Sequence, residues 1–511
     1  MVMMRPPNQL SSQWLLDSCK RQRSFQALLY GLLFVLCPSM LRASELPNVV
    51  FFLVDDLGWM DLGCFGSSFY DTPHLDSLAD SAMRFTSAYA ACPVCSPTRA
   101  SILTGKYPTR CGITDWIHPR GGNQPDQWRR NTRLLPASYR DRLLHEEVTI
   151  AERLKEKGYA TFFAGKWHLG PEGHWPENQG FDVNRGGITR GGPYGGKRYF
   201  SPYGNPRLSD GPPGEHLPAR LADETVRFIE DHRERPFFAY LSFYSVHTPL
   251  MARKDLQKKY QARRKQLDEE AVASEFSHQE YLRKVRTLQA HAVYGAMVEA
   301  MDAAVGTVLS GLNRLGLNEN TVVFFMSDNG GLSTSEGHPT SNIPLRGGKG
   351  WMYEGGIREP MIVRWPGVTR PGSVCDSPVI STDFYPTILE MAGVESRRDQ
   401  EQDGVSLVPL LRGSEQPQRS LYWHYPHYGN QGGAPAGAIR DGEWKLIEWY
   451  EESRVELFHL RKDISEKKNV ADSYPSRTRE MQASLHNWLV RTGAVMPSIN
   501  VQFDASKPEG R

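Results

Sequence analysis

Cysteine is scarce in this chain, with seven residues among 511. So few, so widely spread, exclude the disulfide framework of a small secreted domain. The chain also lacks an excess of charge of either sign: its formal net charge is +2. That gives no electrostatic hold on nucleic acid or on an anionic membrane, and neither is expected as a partner. Beyond the N-terminal stretch, no run reads as the roughly 20 apolar residues that span a bilayer, so no transmembrane segment is expected in the mature chain. What is present is ordinary for a globular protein: 39% hydrophobic and 23% charged residues. At this length a single compact core is not expected.

Residues 1–43 read as a secretory signal peptide. Lys20, Arg21 and Arg23 precede an apolar run from Ala27 to Leu41, and the small residue Ala43 follows. Cys37 follows Leu36, where a lipid-attachment site would have a small residue, so lipidation is not expected. Export, to a periplasm or out of the cell, follows from this reading.

Five short apolar runs do not alternate, as expected of buried parallel strands: Val49–Val54, Ala160–Ala164, Phe237–Phe243, Val322–Met326 and Met361–Val363. Helical patterns lie between them, at Glu147–Lys157 and along Val293, Met297, Met301, Val305, Val308 and Leu312. This alternation predicts an α/β fold with a large, mostly parallel central sheet sandwiched by helices. Polar residues follow four of the strands: Asp55 and Asp56, Lys166 and His168, His247, Asp328 and Asn329. In such sheets the site lies beyond the carboxyl ends of the strands. Segments 115–145 and 184–216 read as loops that rim a pocket, and the charged segment 252–288 as a solvated helix pair. The tail differs. Ala438–Leu460 carries paired strand-like runs and Arg479–Thr492 a helix, predicting a small antiparallel sheet plus helix. The expected organisation is a catalytic domain over 44–404 and a C-terminal subdomain over 405–511.

In CSPTRASILTG, Cys95 to Gly105, Pro97 suits an early helical position and Gly105 a helix end. Cys95 then lies at a helix N-terminus, where unpaired N–H groups favour an anion. Arg99 lies one turn on, on the same face. A sulfur, an anion-binding helix end and a guanidinium suit a tetrahedral oxyanion. Cys92 and Cys95 also form a C-x-x-C. No second such pair exists to complete a zinc site. A plain buried cysteine is the bland alternative for Cys95 taken alone.

The stretch PVCSPTRASILTG (Pro93 to Gly105) resembles the sulfatase family signature, whose core is C-x-P-x-R, and GYATFFAGKWHLG (Gly158 to Gly170) resembles its second signature. VDD at Val54–Asp56, SVHTP at Ser245–Pro249, SDNG at Ser327–Gly330 and GGKG at Gly347–Gly350 match in the family's order. The likeness is to formylglycine-dependent sulfatases of the alkaline phosphatase superfamily, arylsulfatases and N-acetylgalactosamine-6-sulfatases among them. It implies an alkaline-phosphatase-like fold. It also implies that a maturation enzyme converts Cys95 to formylglycine (3-oxoalanine), and that the hydrated aldehyde attacks sulfur to give a covalent sulfate ester. By the same resemblance Asp55, Asp56, Asp328 and Asn329, with residue 95, would hold one calcium ion; all four side chains are oxygen donors, as a hard cation prefers. Arg99, Lys166 and Lys349 would contact sulfate oxygens, His168 would accept a proton from residue 95, and His247 would protonate the leaving alcohol. Arg346 and His338 are weaker candidates for structural or substrate contacts.

These motifs read the sulfate and not the alcohol behind it. Export, with polar and aromatic loops, makes a sulfated carbohydrate the expected substrate. Two alternatives stand at this stage: a formylglycine-dependent phosphonate or phosphate ester hydrolase, and an inactive homologue in which Cys95 stays unmodified.

Overall fold

The computed structural model describes residues 46–511, apart from 396, 398, 399, 401, 402, 509 and 511. The leader read at 1–43 lies outside the described residues.

Nine strands form the central sheet: β1 (Asn48–Val54), β2 (Met83–Tyr89), β3 (Ala160–Gly165), β4 (Val183–Arg185), β5 (Phe237–Ser242), β6 (Thr321–Ser327), β7 (Arg358–Arg364), β8 (Ser373–Cys375) and β9 (Val379–Ile380). The order is β8-β2-β7-β6-β1-β5-β3-β4, with β9 also paired to β2. The central strands β1, β3, β5 and β6 are buried at every position because both faces of the sheet are covered. Along β1, Val50, Phe52 and Val54 enter one core, while Val49, Phe51 and Leu53 enter the other. Phe51 stacks on Tyr240 across the β1–β5 pair, ring centroids 4.9 Å apart.

The run Met361–Val363 is a strand but not a parallel one. As part of β7 it pairs antiparallel with both β6 and β2. Short apolar runs carry no signal for direction, so periodicity could not separate the two cases. The reversal matters for function. The segment leading into β7, with Gly347–Gly350, lies at the same end of the sheet as the exits of β1, β3, β5 and β6.

Helix Ile150–Glu156 starts three residues later than its apolar pattern suggests. Thr149 caps it, accepting from the backbone N–H of Glu152, whose side chain accepts from Thr149 in return. Helix Ala292–Arg314 is long and apolar enough, by length and composition, to cross a membrane, contrary to the reading that no later run is. Two thirds of its most apolar stretch is buried, and it packs against helices Leu217–Asp231 and Lys254–Arg264 as a core helix. The segment 252–288 is only half helical. Helices Lys254–Arg264 and Glu269–Ala273 are followed by a hairpin of strands His278–Glu280 and Arg283–Val285.

The tail forms a four-stranded antiparallel sheet, Leu421–Tyr425, Ala436–Asp441, Trp444–Trp449 and Arg454–His459, covered by helix Pro475–Arg491. Its apolar face shares a core with Tyr89, Cys92 and Val94 at the end of β2. Lys445, fully buried, bridges Glu354 (3.0 Å) before β7 and Glu466 (2.9 Å) in the tail.

Candidate active site

Each floor residue of the site is set by the end of a core element. Cys95 opens helix Cys95–Thr104, which Val94 enters in extended backbone with no side-chain cap. The first N–H groups of that helix are therefore left for a ligand. Gly105 ends the helix in the left-handed region, at φ 70°. At the exit of β3 the chain turns sharply: Gly165 has φ 97°, and a β-carbon there would lie 1.8 Å from the carbonyl oxygen of Ser242. This turn carries Lys166 and His168 into the site. Asp55 and Asp56 leave β1, Asp328 and Asn329 leave β6, and His247 follows β5.

Opposite charges interlock on this floor. Lys166 Nζ donates to Asp55 Oδ2 at 2.7 Å. Lys349 Nζ lies 2.7 Å from Asp56 Oδ1 and 2.8 Å from its Oδ2. Against burial, Asp55 raises the pKa of Lys166, while burial pushes the Asp55 carboxyl itself well above its usual range. Burial would also raise Asp56, but Lys349 holds its carboxyl well below the usual range. Asp55, Asp56 and His247 offer ligand atoms within 4.8 Å of one another. Asp55 Oδ1 and Asn329 Oδ1 are buried with no hydrogen-bond partner. Asn329 Nδ2 donates to Asp56 Oδ1 (2.8 Å) and to Gly330 O (3.1 Å), which fixes the amide with its oxygen free. Unpartnered buried acceptors are costly, and a cation bound among them would remove that cost. The donor set is oxygen-rich and fits a hard cation.

Arg99 was expected against the sulfate, but its guanidinium is engaged elsewhere. Nε and Nη2 lie 2.8 Å and 2.7 Å from Asp328 Oδ2, and Nη1 donates to Lys166 O (2.8 Å) and Ser242 Oγ (2.6 Å). It braces the acidic residues from below. A helix-face argument places Arg99 beside Cys95 but does not see carboxylates arriving from other strands.

His168 touches residue 95, with Nδ1 3.3 Å from Cys95 Sγ. Its Nε2 lies 2.9 Å from Ile117 O. A carbonyl only accepts, so Nε2 carries the proton and Nδ1 turns its lone pair toward residue 95. Burial, then Lys166, lowers its pKa well below the ordinary value, and the ring is neutral. His247 Nδ1 lies 2.7 Å from Thr248 O and its Nε2 3.7 Å from Asp56 Oδ2. Burial, then Lys349, lowers its pKa to about 4. Burial pushes the Cys95 thiol up, against the pull of Lys166 and Lys349. The encoded side chain is therefore a protonated thiol and a poor nucleophile.

Above this floor opens a cavity of about 410 Å3. Cys95, His168, His247 and Lys349 face it. Its walls come from the two predicted loops, with Trp116 and Pro119 from the first and Arg190 and Tyr194 from the second. Glu336, Asn430 and Gln431 complete the rim and were not foreseen. They sit in short turn-like stretches, SEG and GNQGG, that look like any surface loop. Arg346 and His338 stay out of the cavity. Arg346 pairs with Glu280 through two bonds and stacks on Tyr353; His338 meets Phe276 edge-on.

A doubly covered, mostly parallel sheet, with an acidic cluster at the exits of β1 and β6 and a cysteine at a helix start, defines a hydrolase of the alkaline-phosphatase-like fold. Residues 47–394 match the profile of the family described as Sulfatase, and 348–494 that described as N-sulphoglucosamine sulphohydrolase, C-terminal. A sulfatase of Formosa agariphila is 32% identical, over 91% of this chain and 94% of its own. N-acetylgalactosamine-6-sulfatase of Canis lupus familiaris is 32% identical, over 86% and 80%. The solved structure of Ps i-CgsB in complex with k-i-k-neocarrahexaose superposes with a TM-score of 0.70 at 28% identity, covering 87% of this chain and 93% of that one. The chain belongs to the sulfatase family and is a sulfuric ester hydrolase; a formylglycine mechanism is general to that family.

Proposed function

We propose that this enzyme is an exported sulfatase that removes sulfate from a sulfated carbohydrate, with residue 95, as formylglycine, its nucleophile and Asp55, Asp56, Asp328 and Asn329 its calcium site. The observation that carries the reading is the pair of buried oxygens that accept no hydrogen bond, Asp55 Oδ1, with only Arg99 Nη2 at 3.8 Å, and Asn329 Oδ1, beside a cysteine at a helix start. Calcium would supply positive charge against the sulfate and residue 95, and the hydrated aldehyde would supply the attacking hydroxyl and an internal route for releasing sulfate.

The remaining steps belong to the chain's own residues. Lys166, Lys349 and the helix N-terminus hold the sulfate oxygens, and Arg99 keeps Asp328 in place. His168 Nδ1, its lone pair fixed by the bond from Nε2 to Ile117, takes the hydroxyl proton of residue 95. His247 lines the cavity and delivers a proton from Nε2 to the leaving alcohol oxygen; sulfate bound beside the ring adds negative charge and favours the protonated form. The leader at 1–43 directs the chain to a periplasm or out of the cell, and a maturation enzyme reads C-x-P-x-R around Cys95. Catalytic residues lie in 44–404, and 405–511 adds Asn430 and Gln431 to the rim. The sugar assignment rests on the loop-built rim and on the carbohydrate bound to the solved neighbour.

Mass spectrometry of the peptide carrying Cys95, from native-source protein, is expected to show the aldehyde. Sulfate release is expected from sulfated sugars, with phosphate and phosphonate esters turned over at least a hundredfold more slowly. Unmodified cysteine in an active preparation would overturn the nucleophile. Turnover of aryl sulfate alone would overturn the substrate class.

A further inference from the structure

The catalytic cavity does not end at its rim. A second open cavity, of about 380 Å3, adjoins it and shares Tyr194 and Glu336 as a common wall. It is also lined by Arg198 and by Thr248, Pro249 and Leu250, just after His247. A small cleft beneath Tyr194 is lined by both Arg190 and Arg198. Tyr194, 53% exposed, thus lines both cavities and shares the small cleft with two arginines.

These two arginines differ from the cations on the floor. Arg99, Lys166 and Lys349 are each paired with a carboxylate. Arg190 donates one hydrogen bond, to Gly204 O. Among the described residues no carboxylate lies within 4 Å of Arg190 or Arg198. Glu336 is the shared wall's own carboxylate, and it is held by neutral donors: Asn430 and Gln431 on Oε1, Thr248 on Oε2. Its charge is not paired with either arginine, so the groove keeps both positive and negative groups in its lining. Asp56, His168, Arg198 and Glu336 all have positive φ, at 62°, 58°, 66° and 52°. None is glycine; two belong to the catalytic floor and two to the second cavity. Among the described residues four further non-glycine positions with positive φ, Tyr281, His338, Ser453 and Glu466, lie away from both cavities.

We infer that the two cavities form one groove for an anionic oligosaccharide of at least two rings. The ring bearing the scissile ester occupies the catalytic cavity, the chain crosses beside Tyr194, and an anionic substituent on the neighbouring ring is bound by Arg198. This deepens the sulfatase reading and rests on it. An aromatic wall suits the apolar face of a pyranose, and a guanidinium with open donors suits a carboxylate or sulfate. Glu336 disfavours a second anion beside it and can accept from a sugar hydroxyl.

The test uses full-length protein and defined probes: sulfated monosaccharides, and sulfated disaccharides and tetrasaccharides cut from galactan and glycosaminoglycan chains, some with a neutral neighbouring ring. Wild-type kcat/KM is expected to be at least tenfold higher on the best anionic oligosaccharide than on its monosaccharide, mainly through KM, and to lose that advantage when the neighbouring ring is neutral. Arg198→Ala is expected to lower the oligosaccharide-to-monosaccharide ratio at least fivefold, with partial recovery in Arg198→Lys. Arg233→Ala, an exposed arginine paired with Glu234, should leave the ratio unchanged. Equal kcat/KM on both lengths, or equal losses on both in Arg198→Ala, would overturn the proposal. Calorimetric binding to Cys95→Ala protein separates it from the catalytic assignment. Arg198-dependent binding without turnover would leave the groove standing and remove the sulfatase chemistry; turnover without length-dependent binding would do the reverse.

Discussion

The floor and the rim of the cavity face the same substrate but are built in opposite ways. On the floor, Asp55, Asp56, Cys95, Lys166, His168, Asp328 and Asn329 are each at most 3% exposed, and each lies within a few residues of a core strand or helix end. On the rim, Trp116, Arg190, Tyr194, Glu336 and Asn430 sit on loops and are half-buried or exposed. The floor is interlocked by ion pairs of 2.7 to 2.8 Å, whereas on the rim Glu336 is held only by neutral donors. The difference teaches a division of labour: chemistry needs groups preorganised on rigid elements, while choice of substrate can sit on loops that vary without disturbing the sheet.

The sharpest ways to break this comparison act on the floor. Cys95→Ala should lower kcat by about 10^4-fold or more, as for loss of other covalent nucleophiles, while the thermal unfolding midpoint stays within a few degrees. Near-normal turnover would refute the nucleophile. Removing calcium with a chelator should cut activity by about 10^2- to 10^3-fold, corresponding to the several kcal/mol a metal contributes to transition-state charge. Adding calcium back should restore it; unchanged rates in verified metal-free protein would dissolve the distinction between an ionic floor and an ordinary polar pocket.

A third prediction tests where rim and tail are joined. Asp115 is buried, accepting from Trp116 N (2.9 Å), Asn123 Nδ2 (2.8 Å) and Tyr425 Oη (3.1 Å). Burial, opposed by these bonds, raises its pKa to about 7. A raised folded-state pKa means that the folded chain holds this proton more tightly than the unfolded one. The stabilisation is complete below about pH 4, the unfolded value, and is lost as pH rises through about 7. Asp115→Asn removes this dependence. Between pH 5 and 8 the wild type should lose about 2 kcal/mol relative to the variant, a few degrees in unfolding midpoint. A constant difference across that range would show that Asp115 does not titrate there.

The floor was legible in the sequence because it is written in contiguous motifs at strand ends. Asp55–Asp56, Lys166–His168 and Asp328–Asn329 each follow an apolar run, and the structure brings all three beside Cys95. What escaped depends on chain segments meeting across long separations. Arg99 meets Asp328, 229 residues away, a partner that its helix face could not reveal. Met361–Val363 reads as parallel because direction leaves no trace in a three-residue apolar run. Glu336, Asn430 and Gln431 meet only through the packing of the tail against the segment before β7. The loops at 115–145 and 184–216 were readable as a rim from composition, but not which of their residues turn inward.

Trp116 gives the finest test, because it touches both regions. Its ring lines the cavity, 6.5 Å from the ring of His168, yet its neighbour Ile117 supplies the carbonyl that fixes the His168 tautomer and is itself tied through its N–H to Ser96 Oγ (3.1 Å). If the side chain acts only on the rim, Trp116→Ala should lower kcat/KM on a sulfated sugar about tenfold, the scale of one aromatic contact, almost wholly through KM. If it instead holds the Ile117 carbonyl in place, kcat should fall while KM stays constant, because His168 would lose its fixed lone pair toward residue 95. The pH profile of kcat separates the two further. A displaced His168 shifts its limbs, whereas a lost wall leaves the profile where it was and changes only the sugar concentration needed to reach it.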